Sequence, residues 1–359
     1  MEYLDSIRGL ASLAVLLSHS FIFAWPPVVN QFINLPVVNL AFNGKEAVAM
    51  FFVLSGFVLS RPYFPNPETA QPARKIFLPS FYVRRFTRIW LPWFVVFGLS
   101  IAAQFYLFRD WATLPPMNSW AQQFWHAPLT VENFLRQCAF VEHNSAIQLL
   151  SQDWSLGIEL KASVLMPILI FLVAGWRLGV LLLLVAGLMW LFPTGNCYAS
   201  FIMGVLLARY CHPLLVWLKP KTPAVKIGIL LMGVGLYQAF QMFSPGNYSW
   251  LATSFGCVLI LLACLASTRM QAALHLRPII FLGRISYSIY LLQFIIILCV
   301  LPPCLHLLNT LGIERTIWLL PLTLLVSVGG TVLLAALIYR WVEKPCIQLG
   351  AALSKKLQG

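Results

Sequence analysis

Apolar stretches long enough to cross a lipid bilayer recur along this 359-residue chain. The hydrocarbon core of a bilayer needs about 20 apolar residues in a helix, and a helix satisfies its own backbone polar groups in lipid. The sequence therefore predicts an all-α, polytopic membrane bundle of about ten transmembrane helices. The predicted spans are Ile7–Trp25, Val48–Arg61, Ile89–Phe108, Trp154–Ala174, Leu178–Phe192, Tyr198–Tyr210, Val225–Phe243, Trp250–Ser267, Ile279–Val300 and Ile317–Tyr339.

The composition excludes several other classes of protein. Hydrophobic residues make up 60% of the chain and charged residues 10%, whereas a soluble domain is about 25% charged. The net charge of +13 does not indicate nucleic-acid binding, because the basic residues stand at helix ends rather than in one patch. The eight cysteines show no Cys/His ligand spacing, so neither a metal site nor a disulfide framework is predicted.

The distribution of basic residues orients the predicted bundle. Loops rich in Lys and Arg face the cytoplasm, so both termini are predicted to be cytoplasmic and the protein to lie in the cell (inner) membrane. Two cytoplasmic termini require an even number of spans. The residues assigned to the cytoplasmic side are Arg61, Arg74, Lys75, Arg84, Arg85, Arg88, Lys219, Lys221, Lys226, Arg269, Arg277, Arg340, Lys344, Lys355 and Lys356, against Arg109, Arg136 and Arg315 outside.

The longest predicted external segment runs from Arg109 to Gln152 and is rich in tryptophan, with Trp111, Trp120 and Trp125. Aromatic residues at this depth often form an interfacial belt. A lid or groove that stacks on sugar rings is the alternative. Both interpretations remain open at this stage.

The first predicted helix carries two ionisable residues, Arg8 and His19. Their separation of eleven residues is about three helical turns, so both lie near one face, roughly 16 Å apart along the axis. Ionisable side chains inside a membrane are costly and usually functional, and imidazole titrates near neutrality. Snorkelling of Arg8 and a polar packing role for His19 are the alternatives.

A carboxylate on another predicted span is a potential partner for the buried imidazole. Glu159 lies about one turn into the span that starts at Trp154. Interfacial anchoring is the alternative for Glu159, and it applies equally to Glu46 at the entry of the second span.

Three arginines, Arg84, Arg85 and Arg88, lie within five residues directly before an aromatic, proline-containing span. Guanidinium groups bind phosphate bidentately, so the cluster favours a polyanionic cofactor at the cytoplasmic face. Phospholipid head groups are the competing ligand.

Six motifs follow one another along almost the whole chain. They are Arg8 with His19, FFVLSGF at Phe51–Phe57, RRFTRIWLP at Arg84–Pro92, WSLGIE at Trp154–Glu159, LGRISYSIYL at Leu282–Leu291, and Glu343-Lys344-Pro345. Each motif is weak by itself. Together, in this order and at these spacings, they make the chain resemble the acyltransferase-3 family of multi-span membrane acyltransferases, in its carbohydrate O-acetyltransferase type without an attached extracytoplasmic domain.

The resemblance implies an O-acyltransferase that takes an acetyl or other short acyl group from cytoplasmic acyl-CoA. The implied acceptor is a hydroxyl of a glycan or a lipid-linked sugar, and neither a metal nor a nucleic acid is expected. Membrane lipid is the remaining partner. The transmembrane acyltransferase domain is expected over residues 1–345, with a short cytoplasmic tail over 346–359.

The resemblance also implies roles for particular residues. The catalytic set is His19 as general base, with Arg8 and Glu159, and Glu159 would orient the imidazole. Transfer through an acyl-histidine remains a possible variant. The CoA phosphates are expected at Arg84, Arg85 and Arg88, and the substrate site is expected to include Ser55, Trp154, Ser286, Tyr287 and Tyr290.

The chain departs from the family pattern at two positions. Gln293 stands where the family usually has a histidine, and glutamine can form hydrogen bonds but cannot shuttle a proton. Ala49 replaces the usual acidic residue before the FF pair, and Glu46 is one turn earlier. The alternative function is a secondary transporter or a lipid or polysaccharide export permease, although the two halves of the sequence show no internal repeat.

Overall fold

The computed structural model describes residues 2–21, 27–65, 73–109, 124–125, 129–140, 150, 152–175, 180, 187, 195–239, 247–312 and 319–358. Within these ranges the protein is helical and contains no strand. The predicted all-α class is therefore confirmed for the described part of the chain. The predicted span Leu178–Phe192 and most of the tryptophan-rich segment lie outside these ranges.

The helices of the described ranges follow in chain order. They are α1 (Glu2–His19), α2 (Pro27–Ile33), α3 (Pro36–Asn39), α4 (Gly44–Ser60), α5 (Leu78–Tyr106), α6 (Val131–Cys138), α7 (Asp153–Ala174), α8 (Gly195–Leu218), α9 (Pro223–Tyr237), α10 (Asn247–Ala266), α11 (Thr268–Leu274), α12 (Arg277–Arg284), α13 (Ser286–Cys299), α14 (Leu301–Thr310) and α15 (Leu320–Lys356).

Six helical stretches in the described part of the chain are long and apolar enough to cross a membrane. They are Leu78–Tyr106, Asp153–Ala174, Asn196–Leu218, Ser249–Ala266, Ser286–Thr310 and Leu320–Lys356. Large apolar side chains on them are exposed, such as Phe171 at 58% and Leu333 at 71%, as expected for contact with lipid. The total of ten spans and the cytoplasmic location of the termini remain predictions.

Two helices differ from their predicted bounds in ways that matter for the site. Helix α5 begins at Leu78, eleven residues before the predicted span, and Pro79 in its first turn is compatible with this start. The arginine cluster therefore lies on a helix rather than in a loop. Helix α15 continues to Lys356, so the expected domain boundary after residue 345 falls within it.

The chain divides into two compact units, and the first contains residues 1–11, 45–82 and 158–283. Small residues allow its helices to approach closely. A Cβ atom added to Gly56 of α4 would collide with the carbonyl oxygen of Phe201 on α8, and one on Gly204 would collide with that of Val53. Close backbone approach at glycine is a common way to pack helices without a hydrophobic driving force.

The second unit contains residues 12–44, 83–157 and 284–359, with α13 at its centre. Every residue of α13 except Tyr287 is buried. Helix α5 packs closely on α15, where a Cβ on Gly350 would collide with the hydroxyl of Thr87. Two π-helical segments, Leu325–Gly329 and Tyr339–Glu343, interrupt α15, and such segments often occur at functional sites.

The predicted orientation can be tested with reporter fusions. We expect a fusion at Pro72 to report a cytoplasmic location and one at Asn118 an external location, because arginine and lysine surround the first site and are sparse around the second. Alkaline phosphatase and green fluorescent protein activities measure the two sides. Cytoplasmic fluorescence at Asn118 would contradict the orientation.

Candidate active site

His19 lies at the end of α1, in the second unit, and is partly buried. Its Nδ1 atom is 3.1 Å from Oε1 of Gln293, a fully buried residue of α13. The His19 ring also packs on Phe294, with 4.9 Å between ring centroids. One of the two positions at which the chain departs from the family pattern is therefore in direct contact with the predicted base.

Tyr290 joins α13 to the start of α7. Its hydroxyl is 2.7 Å from the hydroxyl of Ser155, and its backbone carbonyl accepts a hydrogen bond of 3.1 Å from Nε2 of Gln152. Gln293 Nε2 donates to the same carbonyl at 2.9 Å. The WSL and YSxYL motifs thus meet in one buried polar network beside His19.

Glu159 lies in the first unit, where it accepts a hydrogen bond of 3.2 Å from the hydroxyl of Ser55. Two residues singled out by separate motifs are therefore paired. His19 contacts Gln293, whereas Glu159 accepts a hydrogen bond from Ser55. The orienting role of Glu159 toward His19 stays a prediction.

Arg8 also belongs to the first unit and pairs with Asp5 one turn earlier, at 3.1 Å. The side chain of Asp5 is 47% exposed, and that of Arg8 is 14% exposed. Next to Arg8, Gly9 packs directly on Gly283, where an added Cβ would lie 2.5 Å from the Gly283 nitrogen. The motif on α1 and the motif that begins at Leu282, at the end of α12, therefore meet through two glycines.

The three clustered arginines do not share one environment. Arg84 and Arg88 are exposed and one turn apart on α5, whereas Arg85 is buried, with 8% exposure. The Nε atom of Arg84 donates to the hydroxyl of Ser354 at 2.7 Å. Arg88 interacts electrostatically with the buried carboxylate of Glu343. The exposed pair therefore forms a basic face against the last helix.

Three residues of the motif at the start of α13 have different surroundings. Ser286 is buried, and the hydroxyl of Tyr287 donates to the backbone carbonyl of Ile89 on α5 at 2.6 Å. Ser288, which is in the motif but was not a predicted site residue, donates to Glu343 at 2.6 Å. Its place two residues after Ser286, between two motif tyrosines, was the available signal.

Two further expectations concern Trp154 and metals. Trp154 stands at the start of α7 and is 39% exposed. Among the described residues, no group of three or more His, Cys, Asp or Glu side chains has an arrangement that could hold a metal ion.

Comparison with known proteins gives an independent view of the chain. A family model described as an acyltransferase domain matches residues 1–340. Nodulation protein 10 of Rhizobium leguminosarum bv. viciae is 26% identical over 385 residues, which cover 97% of this chain and 94% of that protein. O-acetyltransferase PaAT-1 of Phomopsis amygdali is 27% identical over 201 residues, 48% of this chain and 40% of that protein. No solved structure matches.

Proposed function

The chain belongs to the acyltransferase-3 family and is an acyltransferase, and from this premise we propose that it acylates a sugar hydroxyl. The proposed donor is cytoplasmic acetyl-CoA or another short acyl-CoA. The proposed acceptor is a glycan or a lipid-linked sugar, reached by a multi-pass protein of the cell membrane. A relative named as an O-acetyltransferase supports transfer of an acetyl group to oxygen.

The observation that carries the proposed chemistry is the contact of the His19 imidazole, at the end of α1, with a buried polar network. In the proposed reaction, His19 removes the proton of the acceptor hydroxyl as the oxygen attacks the thioester carbonyl. The C–S bond then breaks, and the leaving sulfur of CoA takes up this proton from the imidazolium. General-base catalysis of this kind typically contributes about 10²–10⁴ to the rate.

The developing oxyanion needs hydrogen-bond donors. We assign this role to the motif hydroxyls of Ser55, Ser286 or Tyr287, with Trp154 and Tyr290 completing the substrate site. In the first unit, the Ser55–Glu159 pair supports a functional polar site on α4 and α7. Arg8 and Glu159 are proposed members of the catalytic set.

The donor site is proposed at the arginines of α5. Exposed Arg84 and Arg88 are one turn apart, which suits a run of phosphates. The guanidinium group of buried Arg85 could bind a phosphate that enters the site, or it could stabilise the packing of α5. The family supports an acyl donor in general terms. The resemblance implies acyl-CoA, and the arginine cluster supports that choice.

The test is turnover of acyl-CoA by the purified protein in detergent or nanodiscs. We expect release of free CoA, measured by chromatography, that increases when a membrane glycolipid fraction is added. Mass spectrometry of that fraction should show a mass increase equal to the acyl group. Heat-inactivated protein is the control. No CoA release with acetyl-, propionyl- or butyryl-CoA in the presence of glycolipid would contradict the proposal.

A further inference from the structure

Gln293 is in direct contact with the imidazole ring of His19. The amide group of Gln293 has two neighbours. One end lies 3.1 Å from Nδ1 of His19, and the other lies 2.9 Å from the backbone carbonyl oxygen of Tyr290. The side chain is completely buried, so water does not compete for these contacts.

The contact with Tyr290 determines which end of the amide faces His19. A backbone carbonyl has lone pairs and no proton, so only the NH₂ group of Gln293 can bond to it. Rotating the amide by half a turn would place two oxygen acceptors 2.9 Å apart. The carbonyl oxygen of Gln293 therefore faces His19.

This orientation determines the tautomer of His19. An amide oxygen only accepts hydrogen bonds, so Nδ1 of His19 must carry the proton in this pair. In a neutral ring with the proton on Nδ1, the basic nitrogen is Nε2. The opposite tautomer would leave a lone pair on Nδ1 facing the lone pairs of the amide oxygen.

The amide of Gln293 is itself held in place. The Tyr290 carbonyl also accepts a hydrogen bond from Gln152, which donates to the neighbouring Leu291 carbonyl at 2.6 Å as well. On the other side, the ring of Phe294 packs on His19, and Phe124 packs edge-on against Phe294 at 5.0 Å. Both the hydrogen bond and the plane of the imidazole are thus supported by packed neighbours.

We propose that Gln293 is a positioning residue that holds His19 in the Nδ1-protonated tautomer and so presents Nε2 as the base. The catalytic meaning of this inference rests on the proposed acyl transfer, whereas the pairing itself does not. Gln293 is uncharged and cannot accept the Nδ1 proton. The pair therefore orients the ring without the charge stabilisation that a carboxylate provides in a Ser-His-Asp arrangement.

The test compares Gln293→Leu and Gln293→Glu with the matched control Gln104→Leu, another second-unit glutamine whose amide donates to a backbone carbonyl, that of Trp125. We expect Gln293→Leu to lower kcat on the order of 10–100-fold with little change in the KM for acyl-CoA. Gln293→Glu keeps an acceptor toward Nδ1 but loses the donor to the Tyr290 carbonyl. It should move the acidic limb of the kcat/KM profile to higher pH by about one unit, because a carboxylate favours the imidazolium. Gln104→Leu should leave the profile unchanged.

A second measurement does not depend on acyl transfer. Diethyl pyrocarbonate modifies the neutral imidazole, and mass spectrometry of the His19 peptide gives its modification rate against pH. We expect the half-maximal pH for His19 to rise in Gln293→Glu and to stay at the wild-type value in Gln104→Leu. Equal profiles in wild type and Gln293→Glu, or full kcat in Gln293→Leu, would overturn the inference. A wild type that releases no CoA would contradict the proposed function, and the modification profile would still decide the pairing.

Discussion

His19→Ala is expected to lower acyl transfer by at least about 100-fold, because removal of a general base costs about 10²–10⁴ in rate. The variant should still insert into the membrane, since the imidazole is only partly buried and lies at the end of α1. The measurement is CoA release and acyl incorporation under saturating donor, together with the amount of protein recovered in monodisperse form.

Two further variants separate the loss of the base from a loss of structure. His19→Asn retains a side-chain amide group that can donate to Gln293, but it cannot take a proton near neutral pH. We expect it to be as inactive as His19→Ala and at least as stable. His275→Ala removes an exposed imidazole in the first unit, beside Tyr3, and should remain active. Activity of His19→Ala within about threefold of wild type would remove His19 from the chemistry.

Replacement of the α5 arginines by lysine is expected to weaken acyl-CoA binding while the protein still inserts normally. Lysine keeps the charge but loses the planar fork that binds phosphate bidentately. The loss of a charge-assisted bond costs roughly 1–3 kcal/mol, which corresponds to about a 5- to 150-fold higher Kd. Arg88→Lys should raise the Kd or apparent KM for acyl-CoA with kcat nearly unchanged.

The different environments of the arginines sharpen this comparison. Arg88→Lys changes an exposed side chain, whereas Arg85→Lys changes one that is only 8% exposed. We therefore expect Arg85→Lys to reduce thermal stability as well as binding, and Arg88→Lys to affect binding alone. Arg269→Lys, in the first unit, is the matched control because it is a conservative change at an exposed basic residue.

The opposite outcome has a clear meaning. If the arginines only orient the protein or contact lipid head groups, lysine serves equally well, because the positive-inside bias counts both residues. Unchanged acyl-CoA affinity in both Arg85→Lys and Arg88→Lys would exclude this donor site. Arg8 and Arg284 would then be the next positions to test.

The sequence was sufficient to predict the helical membrane class and the family. Both depend on information that is local or ordered along the chain: the length of the apolar stretches, the spacing of Arg8 and His19, and six motifs in series. Some helix bounds were less predictable. Helix α5 starts at Leu78, so the arginines lie on it, before the predicted span. Hydropathy marks the part of a helix that lies within lipid and does not show where its backbone hydrogen bonding begins.

The contacts of the predicted site residues were decided by the tertiary structure. Gln293 is 274 residues from His19 in sequence, and Ser55 is 104 residues from Glu159. A motif identifies residues with suitable chemistry, but hydrogen-bond partners depend on which helices pack side by side and at what rotation. The burial of Arg85 between two exposed arginines has the same origin, since helical rotation separates neighbours that the sequence places together. The sequence therefore determined the membrane class and the chemical groups, and packing determined which of those groups meet.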